Sequence, residues 1–261
     1  MVDCVGLTNF AAMLPQVDVI IPALNEAESL PHVLRALPWD RIRSVIVVDN
    51  GSTDDTAEVA RAGGAIVLHQ PERGYGAACL MGIDHALHRT DAGPADVLAF
   101  VDGDFSDYPE QLEQLLAPIA SGKVDFVLGS RVLGQRTGRS LMLAQRFGNM
   151  LATWLIRLLY GVRFTDLGPF RVIRREAYER LKMVDRNYGW TVEMQVKAAR
   201  LGIRTLELPV DYRERIGGES KVSGTLRGTI GAGYKILRTI FVYHFATRRS
   251  AGRITFNPKS A

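Results

Sequence analysis

Short β-branched runs that stop at proline or aspartate alternate with segments whose leucines and alanines recur at helical spacing. Val17 to Pro22 (VDVIIP) reads as a strand ended by proline, and Asn25 to Leu37 then follows a helical pattern with Asn25 as its N-cap. Arg43 to Asp49 (RSVIVVD) is a second buried strand that ends in an acid; Asn50-Gly51-Ser52 turns the chain, and Thr53 to Arg61 continues as helix. Ala65 to His69 predicts a third strand, Arg73 to Gly76 a glycine turn, and Ala77 to His88 a helix. Asp96 to Asp102 (DVLAFVD) is a fourth strand, again closed by an acid. The alternation predicts an α/β fold: one Rossmann-like, mostly parallel sheet flanked by helices and joined by right-handed crossovers. Ligands of such sheets bind beyond the carboxyl ends of the strands, where Pro22, Asp49, Arg73 and Asp102 would gather.

Beyond Asp102 the pattern loosens. Tyr108 to Ser121 predicts a helix, Asp125 to Gly129 a strand, Val132 to Leu143 a loop, Leu167 to Ile173 a strand, Thr191 to Leu201 a helix and Thr205 to Tyr212 a last strand. Gln145 to Tyr160 is amphipathic, with Arg146, Asn149, Thr153 and Arg157 on one face and Phe147, Met150, Leu151, Trp154, Leu155 and Leu158 on the other. Leu226 to Phe245 predicts a closing helix with Leu226, Ile230, Leu237 and Phe241 on one stripe. The expected organisation is a flexible start over residues 1–15, a catalytic domain over 16–215, a closing loop with an amphipathic C-terminal helix over 216–250, and a flexible tail over 251–261.

Composition narrows the picture. At 261 residues and 47% hydrophobic content, the chain buries a substantial core in one domain. Lys plus Arg exceed Asp plus Glu by only 32 to 28, which gives no case for nucleic acid. The excess is concentrated at the end, where Arg215, Lys221, Arg227, Lys235, Arg238, Arg248, Arg249, Arg253 and Lys259 face the single acid Glu219; such a stretch favours an anionic substrate or membrane surface. Cys4 and Cys79 sit in unlike contexts and imply no disulfide framework. No secretory signal is visible, and no apolar run is long enough to span a bilayer: Arg157 interrupts one, Lys235 and Arg238 another. The expected location is the cytoplasm, peripheral at the cytoplasmic face of the membrane.

Asp102 and Asp104, one residue apart at the end of a buried strand, concentrate negative charge that needs compensation. A divalent cation supplies it, and oxygen ligands on a turn suit Mg²⁺ or Mn²⁺, either of which would bridge phosphate oxygens. Gly103 lets a ligand approach the backbone, while Arg73-Gly74-Tyr75-Gly76 offers a cation and backbone N–H groups to an anion. The third glycine of a dinucleotide fingerprint is missing, which argues against an oxidoreductase. His69, His85 and His88 form no zinc set. An acid pair at a turn can also be a solvated loop, and a lone arginine on a helix face is usually solvated.

The segments VDVIIPALNEAESL, VVDNGSTDDT, DGDFSDYP, GSR (Gly129 to Arg131) and ERIGGESK together resemble the family 2 glycosyltransferases with the GT-A fold, in particular the polyprenyl (dolichyl) phosphate mannose and glucose synthases. The resemblance runs from Asp18 to Lys235 with the motifs in the family's order. It implies an inverting, metal-dependent hexosyltransferase that takes a sugar from a GDP-mannose or UDP-glucose type donor. By this likeness Pro22, Leu24 and Glu26 border the nucleotide, Asp49 holds the base, Asp102 sits by diphosphate and metal, and Asp104 ligates the metal. Ser106 occupies a third ligand position, Arg131 and Arg146 match arginines that hold a lipid phosphate, and Arg215, Ser220 and Lys221 match a loop that closes over the donor. Leu24 and Asn50 depart from a frequent aromatic and a frequent aspartate.

The implied acceptor is a phosphate monoester, anionic at neutral pH with a second pKa near ~6, so it needs arginines rather than a strong base. A hydroxyl acceptor would instead require a carboxylate, and Asp166 and Glu193 are the available acids, unless they merely cap a turn and pair on a helix face. A non-catalytic nucleotide-sugar-binding subunit is the alternative of another class. The helices at Gln145 to Tyr160 and Leu226 to Phe245 are the expected membrane contacts, and a membrane-anchoring subunit is a further expected partner.

Overall fold

The computed structural model describes residues 15–135, 143–216 and 226–251. Seven strands, β1 (Val17–Ala23), β2 (Ser44–Asp49), β3 (Ile66–His69), β4 (Val97–Phe100), β5 (Phe126–Ser130), β6 (Arg171–Arg174) and β7 (Thr205–Pro209), form one sheet in the order β3-β2-β1-β4-β6-β5-β7. The β1–β2, β2–β3, β1–β4 and β5–β7 pairs are parallel, whereas β6 runs antiparallel to both β4 and β5. The helices are α1 (Leu30–Ala36), α2 (Thr56–Ala62), α3 (Tyr75–His88), α4 (Leu112–Ala120), α5 (Leu143–Tyr160), α6 (Arg175–Leu181), α7 (Trp190–Arg200) and α8 (Leu226–Ala251).

Strand alternation divides the core in two. Val19, Ile21, Val45, Val47, Val97 and Ala99 pack with α1 and α4, while Ile20, Ile46, Val48, Leu98 and Phe100 pack on the opposite face with α3, α6 and α7. Both faces are covered, which is why these strands read as continuous apolar runs. Asp18 is the polar exception inside β1: Arg43 clamps it through Nε (2.8 Å) and Nη2 (2.6 Å), and the Ser44 hydroxyl donates to it at 2.7 Å.

Several expectations need correction. Helix α1 starts at Leu30, not Asn25, because Asn25 takes a left-handed φ of 54° and its side-chain oxygen accepts the Thr53 N–H at 2.8 Å. The first turn of the helix expected from Tyr108 is a 3₁₀ turn at Pro109–Gln111. The strand expected over Leu167 to Ile173 begins only at Arg171 and runs to Arg174, and residues 167–170 before it are irregular.

Helix α5 departs in part from its apparent amphipathicity. Ala152, Thr153 and Ile156 are buried, while Phe147, Trp154 and Leu158 are 62, 56 and 64% exposed. Of the polar face, Asn149 and Thr153 point inward while Arg146 and Arg157 stay exposed, and Asn149 serves the segment beneath it: its amide donates to Thr165 O at 2.9 Å and accepts from Leu167 N–H at 2.9 Å. In α8 the inward positions are Ile236, Thr239, Ile240 and Tyr243, and Phe241 faces out; the side chains of Leu226 and Ile230 lie outside the described part. Among the described residues no helix is long and apolar enough to cross a membrane. The segments expected to be flexible ends, and Cys4, lie outside the description except residues 15 and 251, and Cys79 is a buried free thiol.

Candidate active site

β1, β2 and β4 all point their carboxyl ends at one rim, where a cleft of about 740 Å³ opens. One wall carries Pro22, Leu24, Glu26, Asn50 and Arg73; Asp102, Gly103 and Asp104 form the floor. The facing wall carries Arg131, Leu167, Pro169, Tyr188, Tyr212 and Arg215. Elements far apart in sequence thus bring acids and arginines to one place.

Burial, followed by repulsion from Asp104, lifts the Asp102 carboxyl to about 7, against a hydrogen bond from the Tyr75 hydroxyl (3.1 Å) and the charge of Arg131. Asp104 Oδ1 accepts two bonds from Ser106, from its N–H at 3.0 Å and its hydroxyl at 2.6 Å. Ser106 is itself buried and not a lining residue, so it orients Asp104 instead of standing as a third ligand facing the cleft. Arg215 Nη2 lies 3.0 Å from Asp104 Oδ2 and 3.1 Å from Glu26 Oε1, bridging the two carboxylates. Glu26 is braced by the Ser29 hydroxyl at 2.8 Å, which also reaches Gly103 O at 2.8 Å.

These residues fit a divalent cation. Like charges are forced together, the donors are all oxygen, and a guanidinium already sits in the acidic cradle. Among the described residues no three His, Cys, Asp or Glu side chains gather as a complete metal cage. The protein would therefore supply one or two carboxylates, as Mg²⁺ and Mn²⁺ sites completed by phosphate and water require.

Asn50 staples the Arg73 loop: its amide donates to Gln70 O (3.0 Å) and Glu72 O (2.7 Å) and accepts from Gly74 N–H at 2.7 Å. An aspartate there would set an oxygen against two carbonyls, which explains the departure from the frequent aspartate. The glycines of Arg73-Gly74-Tyr75-Gly76 answer a packing need: a Cβ on Gly74 or Gly76 would meet the carbonyl of Arg186 or Asp185 at 2.2 Å. Asp49 accepts Ser52 N–H at 2.9 Å, faces His69 Nδ1 at 3.1 Å and is not among the residues that line the cleft.

On the facing wall, Arg131 and Asp166 form a bidentate pair, Nε–Oδ2 2.7 Å and Nη2–Oδ1 2.9 Å, reinforced by the Arg131 N–H. Burial would raise the Asp166 pKa, but the Arg131 guanidinium and these bonds hold it below the usual carboxylate range. That makes Asp166 a poor proton acceptor. Glu193 is fully buried away from the cleft, accepting Val184 N–H (3.1 Å), Asp185 N–H (2.7 Å) and the Tyr243 hydroxyl (2.6 Å) and pairing with Lys197 (2.6 Å). It is a structural carboxylate. Arg146 is exposed on α5 and does not line the cleft, and Ser220 and Lys221 lie outside the described residues. Tyr212, over which Arg131 lies, and Arg213, which bonds Asp107 O, were not singled out from sequence, and Tyr75 entered only as part of the glycine turn and not as a partner of Asp102; these partners are too distant for a local pattern to reveal.

A mostly parallel sheet with an acid pair at its carboxyl rim and arginines opposite makes a site for an anionic ligand beside a cation. Residues 18–182 match the model of glycosyl transferase family 2, and the chain belongs to that family. It is 41% identical over 214 residues to an uncharacterised glycosyltransferase of Mycobacterium tuberculosis, covering 82% of this chain and 93% of the relative. It is 34% identical over 225 residues to the undecaprenyl-phosphate mannosyltransferase of Micrococcus luteus, covering 80% and 88%. Among solved structures, glucosyl-3-phosphoglycerate synthase from Mycobacterium tuberculosis, in complex with Mn²⁺, UDP and glucosyl-3-phosphoglycerate, superposes with a TM-score of 0.67 at 21% identity, covering 88% of this chain and 80% of that one. That likeness establishes the GT-A fold.

Proposed function

We propose that this glycosyltransferase is an inverting hexosyltransferase that moves a sugar from a nucleoside diphosphate donor to a polyprenyl phosphate at the cytoplasmic membrane face. The observation that carries this reading is the charge plan of the cleft. Its lining acids, Glu26, Asp102 and Asp104, cluster on one side, whereas Asp166 is held by Arg131 and Glu193 is buried elsewhere. Neither proposed base is placed to deprotonate a hydroxyl, so the acceptor best suited to this site arrives already ionised. The name of the Micrococcus luteus relative supports the same acceptor class.

In this reading Pro22, Leu24, Asp49 and Arg73 border the nucleotide. Asp104, with Asp102, would hold Mg²⁺ or Mn²⁺, which stabilises the charge that develops on the departing diphosphate. Arg215 serves the same diphosphate, a role that the sequence motif extends to Ser220 and Lys221. Arg131, fixed in its buried pair, presents positive charge to the acceptor phosphate and overcomes the repulsion between two anions. Arg146, exposed at the start of α5, would meet that phosphate only at the cleft mouth. The outward apolar residues of α5, and Tyr234, Phe241, Val242 and Phe245 of α8, supply a surface for the bilayer that holds the lipid.

The test is a donor screen, GDP- and UDP-sugars with Mg²⁺ or Mn²⁺ and polyprenyl phosphate, reading released nucleotide and lipid product. Transfer is expected with the native chain and abolished in Asp104→Ala with an unchanged circular-dichroism spectrum. Transfer to a hydroxyl acceptor with none to the lipid phosphate would overturn the acceptor assignment.

A further inference from the structure

The segment after β7 is joined to the acidic loop by contacts that donor chemistry alone does not require. Arg213 N–H donates to Ser106 O at 2.9 Å, and Asp107 and Tyr212 form an antiparallel bridge. Asp211 and Gln111 exchange two bonds, Asp211 N–H to Gln111 Oε1 at 2.8 Å and Gln111 Nε2 to Asp211 Oδ2 at 3.0 Å. At the centre, the Arg213 guanidinium is held between two rings, its Cζ 3.7 Å from the centroid of Phe105 and 3.7 Å from that of Tyr108. Nη2 donates to Asp107 O at 3.1 Å, and Nε is buried without a hydrogen-bond partner among the described residues. The rings, more than hydrogen bonds, fix this side chain.

One of those rings belongs to a strained residue. Phe105 has a φ of 57°, in the left-handed region that bulky side chains avoid, and it lies between Asp104 and Ser106. Its turn brings the Ser106 N–H and hydroxyl back onto Asp104 Oδ1 and so sets the direction of that carboxylate. The ring of His32 lies 5.4 Å from Phe105, and Arg213 stacks on it as well. Two residues beyond Arg213, Arg215 reaches Asp104 and Glu26.

We propose that Arg213 is a positioning residue: clamped between Phe105 and Tyr108, it holds the left-handed turn that aims Asp104 and delivers Arg215 to the same acids. This rests on the reading of Asp104 as the acid that engages metal and donor. A planar guanidinium stacks on two rings at once, which an ammonium does not. Lysine should therefore fail to replace it.

The experiment titrates the full chain with Mn²⁺ in the presence of UDP or GDP, and measures donor KM, kcat and melting temperature. Arg213→Lys and Arg213→Ala should both weaken Mn²⁺–nucleotide binding and raise donor KM by about tenfold, with lysine no better than alanine. Phe105→Leu should cause a similar loss, and the Arg213→Ala, Phe105→Leu double variant should bind no worse than either single one, because both remove the same stack. Wild-type affinity in Arg213→Lys, or losses that add in the double variant, would overturn the positioning role. If Arg213→Ala does not fold, Arg213→Lys and Phe105→Leu still decide the matter. A wild-type chain that binds neither nucleotide with Mn²⁺ would defeat the donor reading itself, a result distinct from a binding-competent wild type matched by its lysine variant.

Discussion

Two buried carboxylates stand in the field of Arg131, and their surroundings drive them in opposite directions. Asp107 is pushed well above the usual range by burial and then by Asp102, and neither of its oxygens has a hydrogen-bond partner among the described residues. Asp166 is also buried, yet its direct bonds to Arg131 hold it below 3.8. The consequences for stability follow by linkage. A lowered carboxyl contributes stability that is complete above its ordinary value of 3.8 and is lost as pH falls through the lower folded value. Asp166→Asn, which leaves Arg131 buried without its countercharge, should cost about 3 kcal/mol at neutral pH. Urea denaturation at stepped pH should show the gap to wild type closing only below 3.8. The raised carboxyl of Asp107 acts in the opposite sense, its contribution fading as pH rises from 3.8 toward the folded value.

At the scale of elements, periodicity found every described α-helix but α6 (Arg175–Leu181), which follows β6 without a break, and was a poor guide to how the helices face. The four strands that precede Asp102 were legible because each is a short apolar run bounded by turn signals; β1, β2 and β4 are buried on both faces, whereas β3, at the sheet edge, is only half-buried. Helix α5 was legible in extent but not in orientation. Its polar Asn149 answers Thr165 and Leu167, whose backbone groups are buried by a turn that no local pattern announces. What remains outside is a row of large apolar side chains, Phe147, Met150, Trp154 and Leu158, at spacings of three and four. Vesicle sedimentation with anionic lipid checks its role: Trp154→Glu should reduce bound protein several-fold while the melting temperature stays near wild type, since the indole leaves few protein contacts behind. Equal binding by the variant would remove α5 from the membrane contact.

The whole molecule joins a parallel half, β1 to β4, with a second half whose strands run in mixed directions. The seam is tightest where α3 begins, for Gly76 meets residues 185–187 so closely that a Cβ would lie 2.2 Å from Asp185 O and 2.8 Å from Asn187 N. Gly76→Ala should therefore destabilise the chain by about 2 kcal/mol, read as a lower denaturation midpoint with an unchanged slope. The acid pair and the rim that carries it were legible because they lie at the ends of readable strands. The pairing of Arg131 with Asp166 and the seating of Arg213 were not, because each depends on where a distant segment returns. That return has its own implication. Since β6 runs against its neighbours, the chain that leaves β5 comes back to the same rim, and its two ends are fastened there by the Ser130–Thr165 hydroxyl contact at 2.7 Å and the Arg131–Asp166 pair. The stretch bearing α5 is thus a cassette closed by a clasp of two residue pairs. Such a cassette can diverge, or be exchanged with that of a relative, while the strand order and the acidic floor of the cleft stay as they are.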